Sequence, residues 1–178
     1  KTEEGIVKKT GYEKTSARLN LDIKPFSWAD LQVGFNYVTS SADRGFFNND
    51  NTSTTMGVSF VSTPSWVNLF PDANGNYPNN TKAPSNFLQT RDLITNNESV
   101  NRILNGGTST FTLFQNDRNV LKLIARGGVD QYTLETRSIF PRELQFQKDG
   151  NGTNGASIAS TGNSRSTNIA AFLVHTLT

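Results

Sequence analysis

The chain has 178 residues, with 17 basic and 15 acidic side chains and no cysteine. The near balance of charge, without a basic stripe, argues against a nucleic-acid partner, and the lack of cysteine excludes disulfides, thiolate metal sites and a cysteine nucleophile. Only 34% of the residues are hydrophobic, and Asn, Ser, Thr and Gly are abundant, which favours an all-β fold with long polar loops.

The first predicted element is a hairpin whose strands have two different faces. Residues 16–24 (SARLNLDIK) alternate polar and apolar side chains, as a strand with one polar and one apolar face does. A connector of residues 25–30 follows, and we expect Pro25 to end the first strand because proline cannot donate to the ladder. The alternation returns over residues 31–37, which predicts the second strand.

A long connection without regular β periodicity follows residue 40. Within it, residues 56–61 predict a small strand and residues 86–94 predict one or two helical turns. Residues 71–77 (PDANGNY) place oxygen-bearing side chains at alternate positions, as calcium loops do, but they lack the closing glutamate of an EF-hand. A tight turn is therefore the favoured interpretation of this segment.

A second hairpin is predicted over residues 102–135, with its turn at residues 115–119. Gly106 and Gly107 interrupt the alternation of its first strand, which indicates a bulge, and Gly127 and Gly128 indicate curvature in the second. Residues 137–162 predict another long loop with a flexible tip at residues 150–155, and a last strand covers residues 166–178.

Short turns and long loops therefore alternate along about five antiparallel strands. A soluble sandwich has no physical reason for this arrangement, whereas outer-membrane barrels have short periplasmic turns and long extracellular loops. The pattern predicts a segment of a transmembrane β-barrel with long extracellular loops. Phe26 and Trp28, beside the first short turn, would belong to an aromatic girdle at the membrane interface. The residues predicted to face a wet lumen are Asp22, Lys24, Lys122, Arg126 and Asp130, and those predicted to face lipid are Leu19, Leu21, Val33, Phe35, Leu121 and Leu123.

Several short motifs mark these elements in order along the chain: Gly5-Ile6-Val7, Tyr12, residues 16–22 (SARLNLD), residues 33–37 (VGFNY), residues 71–77 (PDANGNY), residues 86–88 (NFL) and residues 101–104 (NRIL). Their type and order resemble the early barrel of SusC/RagA-type TonB-dependent transporters, although Phe87 stands where that family has a proline. The resemblance implies a bacterial outer-membrane protein that imports oligosaccharides or oligopeptides and performs no chemistry on them.

The same resemblance implies partners and a larger assembly. A barrel of this class has about 22 strands, so residues 1–178 would form part of its wall, with the plug domain and the TonB-binding segment outside the chain. The partners implied are a SusD-like surface lipoprotein, TonB acting through other parts of the transporter, outer-membrane lipid, and an oligosaccharide or peptide cargo.

Five aromatic residues of the first long connection are the candidate contacts with a ligand or partner. Aromatic rings stack on sugars and anchor partner surfaces, although packing within the loop is the alternative role. The candidates are Phe46, Phe47, Trp66, Phe70 and Tyr77.

No enzyme is predicted, because His175 lacks a cluster of acidic residues around it in the sequence and no other constellation supports catalysis. The sequence likewise points to no cofactor and no metal site. The alternative function is a secreted or surface β-sandwich that acts as a carbohydrate-binding or adhesion module, with Trp66 and Tyr77 as its platform.

Overall fold

The computed structural model describes residues 1–47, 54–149 and 154–177. These residues form one antiparallel sheet of six strands that follow each other in sequence order. The strands are β1 (Thr2–Glu4), β2 (Gly11–Phe26), β3 (Ala29–Asp43), β4 (Thr95–Gln115), β5 (Asn119–Phe140) and β6 (Ala156–Leu177). The all-β prediction is confirmed, with one short strand, β1, beyond the predicted five. In the described residues β1 and β6 are the two ends of the sheet and are not paired with each other.

Three short helices lie in the connections of the described chain: α1 (Met56–Ser62), α2 (Phe87–Leu93) and α3 (Gln145–Asp149). None of these helices has the length and apolar character that crossing a membrane requires.

The chain divides into two compact units. We call the first the loop unit; it comprises Lys1–Lys14, Ser40–Ser99 and Glu135–Thr161. We call the second the strand unit; it comprises Thr15–Thr39, Val100–Leu134 and Gly162–Thr178. Each unit is described separately below.

The strands extend further than the apolar periodicity predicts. β4 begins at Thr95 rather than at residue 102, β5 continues to Phe140, and β6 begins at Ala156 rather than at residue 166. The prediction of a loop over residues 137–162 is therefore wrong at both ends, and the connection covers only residues 141–155. The first ten residues of β6 are exposed on both faces, so pairing of the backbone rather than apolar burial forms this part of the strand. The tip predicted at residues 150–155 lies largely outside the described residues.

The prediction that Pro25 ends the first strand is wrong, because β2 continues through it to Phe26. The partner on the outer side of β2 is the short β1, whose register pairs it with residues 11–13. Beyond that point the described chain has no strand on this side of β2, and an unpaired edge accommodates a proline without loss of a ladder hydrogen bond.

The predicted strand at residues 56–61 is a helix, α1. Its buried residues, Met56 and Ser59, are three positions apart, which is the spacing of one helix face. The Ser59 hydroxyl donates to the Ser85 carbonyl at 2.6 Å, so contacts distant in sequence outweigh the alternation of Met56, Val58 and Phe60. The predicted helical turns at residues 86–94 are confirmed as α2, whose N-cap Asn86 accepts hydrogen bonds from two backbone N–H groups of the first turn.

The turns predicted at residues 115–119 and 71–77 are confirmed. Asn116 closes the β4–β5 turn, because its side-chain oxygen accepts the backbone N–H groups of Arg118 at 3.0 Å and Asn119 at 2.8 Å. In residues 71–77, the Asp72 carboxylate accepts the N–H groups of Asn74 and Asn76 at 2.9 and 2.8 Å. These bonds to the backbone lower the pKa of Asp72, with that from Asn76 contributing most.

Candidate functional site

The strand unit contains an open concavity of about 620 Å³ over a row of glycines. Gly34 on β3, Gly106 on β4 and Gly128 on β5 are neighbours across the sheet. A Cβ built on Gly34 would lie 3.8 Å from the Gly106 carbonyl oxygen, and a Cβ on Gly106 would lie 3.8 Å from Gly128 Cα. The row has no side chains, so a ligand can approach the backbone here. We call this concavity the glycine trough; its polar lining residues include Arg18, Asn20, Asn36, Asp130, Ser166 and Asn168.

Two asparagines lie at opposite ends of the glycine row. The Asn20 side-chain oxygen would be 3.5 Å from a Cβ on Gly34, and that of Asn168 would be 2.9 Å from a Cβ on Gly128. Each amide offers two donors and one acceptor oxygen without carrying a charge. These two amides can form neutral hydrogen bonds with hydroxyl or amide groups of a ligand.

One carboxylate of the trough is held by an arginine. Arg102 donates to both oxygens of Asp130, from Nε at 2.9 Å and from Nη2 at 2.5 Å. A bidentate pair of this kind fixes the orientation of the carboxylate. In the residues that the structure describes, no group of three acidic or histidine side chains is arranged to hold a metal ion.

The β4 glycine pair also brings two strands close together. A Cβ on Gly107 would lie 2.8 Å from the carbonyl oxygen of Gln32 on β3, which is closer than a real Cβ contact. β4 runs through both glycines as one strand. The interruption that the sequence suggests at Gly106 and Gly107 is thus the place where β3 and β4 approach closely.

An exposed apolar surface belongs to the same unit. Leu19, Leu21 and Ile23 of β2 are 53%, 44% and 47% exposed. They alternate with Arg18 and Asn20, so they lie on the opposite face of β2 from the trough. Other large apolar residues on β6 are similarly exposed, among them Ile169, Leu173 and Leu177.

Three aromatic residues of the strand unit meet near the β2–β3 turn. Phe26 and Trp28 stack with ring centroids 5.1 Å apart and planes 3° from parallel. Trp28 also contacts Phe111, with 6.1 Å between centroids, and its carbonyl accepts the Thr112 N–H at 2.8 Å. Phe26 and Trp28 nevertheless remain half exposed.

The five aromatic residues predicted as contacts differ in their surroundings. Phe46 packs edge-on against Phe140, with 5.2 Å between ring centroids, and Tyr77 donates its hydroxyl proton to Asp92 Oδ2 at 2.6 Å. These two side chains contribute to packing of the loop unit.

The other three are open to a ligand or partner. Phe47 is half exposed, Trp66 is 80% exposed and Phe70 is 70% exposed. The segment that carries Trp66 and Phe70 is anchored by Leu69, which is buried and whose carbonyl accepts a hydrogen bond from Asn86 Nδ2 at 2.9 Å.

Buried amides hold the long connections of the loop unit together. Gln145 exchanges hydrogen bonds with the backbone of Asn80 and its N–H donates to Gln89 Oε1 at 2.9 Å. Gln89 in turn donates to the Glu143 carbonyl at 2.8 Å. Each polar group in this chain of contacts has a partner, as buried polar groups require. The connection after β3 and the connection after β5 are therefore joined.

Asp92 is the centre of a second polar group in the loop unit. Arg91 donates to its two oxygens at 2.8 and 2.7 Å, and these bonds contribute most to lowering the pKa of Asp92. Burial, together with the hydrogen bond to Asp92, raises the pKa of Tyr77 to about 12. The Lys9 ammonium donates to the main-chain carbonyl of Asp92.

The sequence did not predict the glycine trough. The sequence does contain features that belong to the trough, namely Asn20 and Asn36 within the two alternating strands of the first hairpin and the glycine pairs at residues 106–107 and 127–128. Which residues of different strands lie side by side depends on the register between strands, however, and the sequence left the register of β4 undetermined.

No protein-family model, no curated protein and no solved structure with which the chain was compared matches it.

Proposed function

We propose that this chain forms part of the wall of a TonB-dependent, SusC/RagA-type transporter in the bacterial outer membrane, which imports oligosaccharides or oligopeptides. The observation that carries the proposal is the pair of opposite faces on β2. Leu19 and Leu21 are exposed on one face, while Arg18 and Asn20 line the glycine trough on the other. A barrel wall between lipid and a wet lumen requires this combination.

The exposed apolar residues argue against the alternative, a soluble β-sandwich. A sandwich buries the apolar face of each sheet against a second sheet. The residues that the structure describes form one sheet, and its large apolar side chains, such as Ile169 at 85% exposure, have no protein layer over them. Lipid is a solvent in which such a surface is stable.

The aromatic group at the β2–β3 turn is consistent with a membrane boundary. Tryptophan and other aromatic rings concentrate where the hydrocarbon meets the headgroups. Phe26 and Trp28 are half exposed beside a short turn, which is the position that an interfacial girdle occupies in a barrel.

The proposed partners follow from the same assembly. The edges of the sheet would pair with further strands of the wall, because an unpaired edge is not tolerated in lipid. A SusD-like surface lipoprotein would contact the loop unit, where Trp66 and Phe70 offer exposed rings. TonB would act through other parts of the transporter, and the cargo would pass along the trough without chemical change.

The proposal is tested by measuring whether the chain needs a membrane or detergent to stay folded and dispersed. We expect the chain to fractionate with outer membranes when it is expressed within the whole transporter, and to stay in solution only in detergent when it is expressed alone. If the 178-residue chain is instead a monomer without detergent and melts cooperatively, its apolar face is covered by protein and the proposal is wrong.

A further inference from the structure

A second concavity, in the loop unit, has a basic lining. Its volume is about 250 Å³, and four basic side chains from three separate parts of the chain line it. Lys8 and Lys9 come from the β1–β2 turn, Arg44 follows β3, and Arg91 belongs to α2. We call it the basic pocket. These residues are far apart along the chain, so the sequence alone does not indicate that they lie together.

The acidic residues around the basic pocket are mostly engaged. Asp92 accepts both bonds of Arg91 and the Tyr77 hydroxyl, and Glu98 forms an ion pair with Arg44. Asp43 is the one carboxylate among the lining residues. The four basic side chains of the lining outnumber the three carboxylates of Asp43, Asp92 and Glu98 by one. The pocket and its immediate surroundings therefore have a net positive charge.

Within the described residues neither lysine forms an ion pair, and the bond from the Lys9 ammonium to the Asp92 carbonyl leaves further donors of that group free. Lys8 is exposed and has no ion pair or side-chain hydrogen bond within the described part of the chain. Lys9 has a φ of 61°, and among the described non-glycine residues only this one has a positive φ. The turn that imposes this conformation is closed by a bond from the Gly5 N–H to the Thr10 carbonyl at 2.9 Å. It holds two consecutive ammonium groups beside the pocket.

We propose that the basic pocket binds an oxyanion group, either a sulfate ester or a carboxylate. Oxyanions accept charge-assisted hydrogen bonds from ammonium and guanidinium groups, and Thr95 and Asn97 on the pocket lining add neutral polar groups. A group of this kind occurs on acidic sugars and on peptides. The proposal does not depend on transport, because binding can be measured whether or not the protein moves its ligand.

Calorimetric titration of the protein in detergent tests this site. The probes are inorganic sulfate and glucuronate, with glucose as the neutral comparison. The variant combines Lys8→Gln with Lys9→Asn, because asparagine tolerates the left-handed backbone at position 9. The matched control is Lys82→Gln, a lysine of the same unit that is exposed and does not line the pocket.

We expect sulfate, glucuronate or both to bind and glucose not to bind. The double variant should weaken binding by about tenfold or more, since charge-assisted hydrogen bonds are lost, and the control should leave it unchanged. Binding of sulfate alone assigns a sulfate ester, and binding of glucuronate alone assigns a carboxylate. The proposal is overturned if neither anion binds, or if the double variant binds them as well as the unaltered protein does. If the chain proves soluble without detergent, the proposed transport function is overturned. The measured binding of the anions is unaffected by that outcome.

Discussion

Gln145 and Asn80 exchange two hydrogen bonds across 65 positions of the chain. The Asn80 N–H donates to Gln145 Oε1 at 2.7 Å, and Gln145 Nε2 donates to the Asn80 carbonyl at 2.9 Å. The side-chain amide thus completes the backbone hydrogen bonding of a buried residue that belongs to no helix or strand. We expect this pair to contribute to the order of the loop unit, because buried backbone groups without partners are unstable.

Replacing Gln145 with leucine should destabilise the loop unit by about 2 kcal/mol or more, because two buried backbone groups of Asn80 lose their partner. Hydrogen exchange of the amides in residues 78–90 would show faster exchange in the variant. Gln115→Leu is the matched control, since this glutamine is exposed at the end of β4 and its replacement should leave those rates unchanged. Equal protection in both variants would mean that the pair does not hold the connections together.

Adding one methyl group at Gly107 should destabilise the strand unit. The new Cβ would lie 2.8 Å from the Gln32 carbonyl oxygen, and a backbone atom cannot move aside as a flexible side chain can. We expect Gly107→Ala to lower the free energy of unfolding by about 1–3 kcal/mol, measured by denaturation in detergent. The control is Gly57→Ala in α1, where a Cβ would meet nothing within 4 Å. A Gly107→Ala protein as stable as this control would contradict the close approach of β3 and β4.

The stability of the loop unit should depend on pH at the alkaline end. Burial and the bond to Asp92 raise the pKa of Tyr77 from 10.0 to about 12, so its contribution is fully present below pH 10 and is lost as the pH rises towards 12. Asp92 has a lowered pKa, so its contribution is present above its ordinary value of 3.8 and is lost only as the pH falls below it.

The raised pKa of Tyr77 can be measured by following the absorbance of tyrosinate during an alkaline titration. The titration is carried out on the unaltered protein and on a variant without Tyr77. Tyr77→Phe should remove the component that titrates near pH 12 and should flatten the stability profile between pH 10 and 12. The chain has four tyrosines, so the difference between the two proteins gives the Tyr77 component. A difference spectrum that titrates at the ordinary value of 10 would show that Tyr77 is not bonded to Asp92 in solution.

A bulky residue in the floor of the glycine trough should reduce uptake of cargo. Gly128→Leu would place its side chain against Asn168 Oδ1, which lies 2.9 Å from a Cβ at this position. We expect uptake of labelled oligosaccharide or peptide by cells to fall by about tenfold when normalised to protein in the outer membrane, because the added side chain occupies space that a ligand needs. Gly57→Leu is the control for added bulk.

Asn168→Ala is a second variant for the trough, because it removes an amide without adding volume. It should also reduce uptake, by the smaller amount expected for one hydrogen-bonding group. Normal uptake in both trough variants, with normal amounts in the membrane, would exclude the trough from the path of the cargo.

Features encoded by neighbouring residues could be predicted from the sequence. The first hairpin followed from its strict alternation, and the helical turns of α2 followed from the pattern of residues 86–94. The turn at residues 71–77 followed from its alternating oxygen-bearing side chains, and in the structure the Asp72 side chain bonds to the backbone that comes directly after it. In each case the cause and the structure lie within a few residues.

Features that depend on distant residues could not be predicted. Met56 starts a helix because its segment packs against residues near Ser85, and Gln145 completes the backbone of a residue 65 positions away. The glycine trough and the basic pocket arise in the same way. Gly34 and Gly128 have no relation along the chain until the register of three strands brings them together, and the lysines of the basic pocket meet Arg44 and Arg91 only in the folded loop unit.

The two tryptophans of the chain can report whether one face of the strand unit lies in lipid. Trp66→Phe leaves Trp28, which stacks on Phe26 near the β2–β3 turn, and Trp28→Phe leaves Trp66, which is 80% exposed in the loop unit. Each variant is reconstituted into vesicles that contain brominated lipids, and its fluorescence is measured again with iodide in the water.

We predict that brominated lipids quench Trp28 strongly and Trp66 weakly, and that iodide quenches Trp66 more than Trp28. If brominated lipids quench neither tryptophan while iodide reaches both equally, the aromatic group at the β2–β3 turn does not lie at a membrane boundary, and the chain is not part of a membrane-spanning wall.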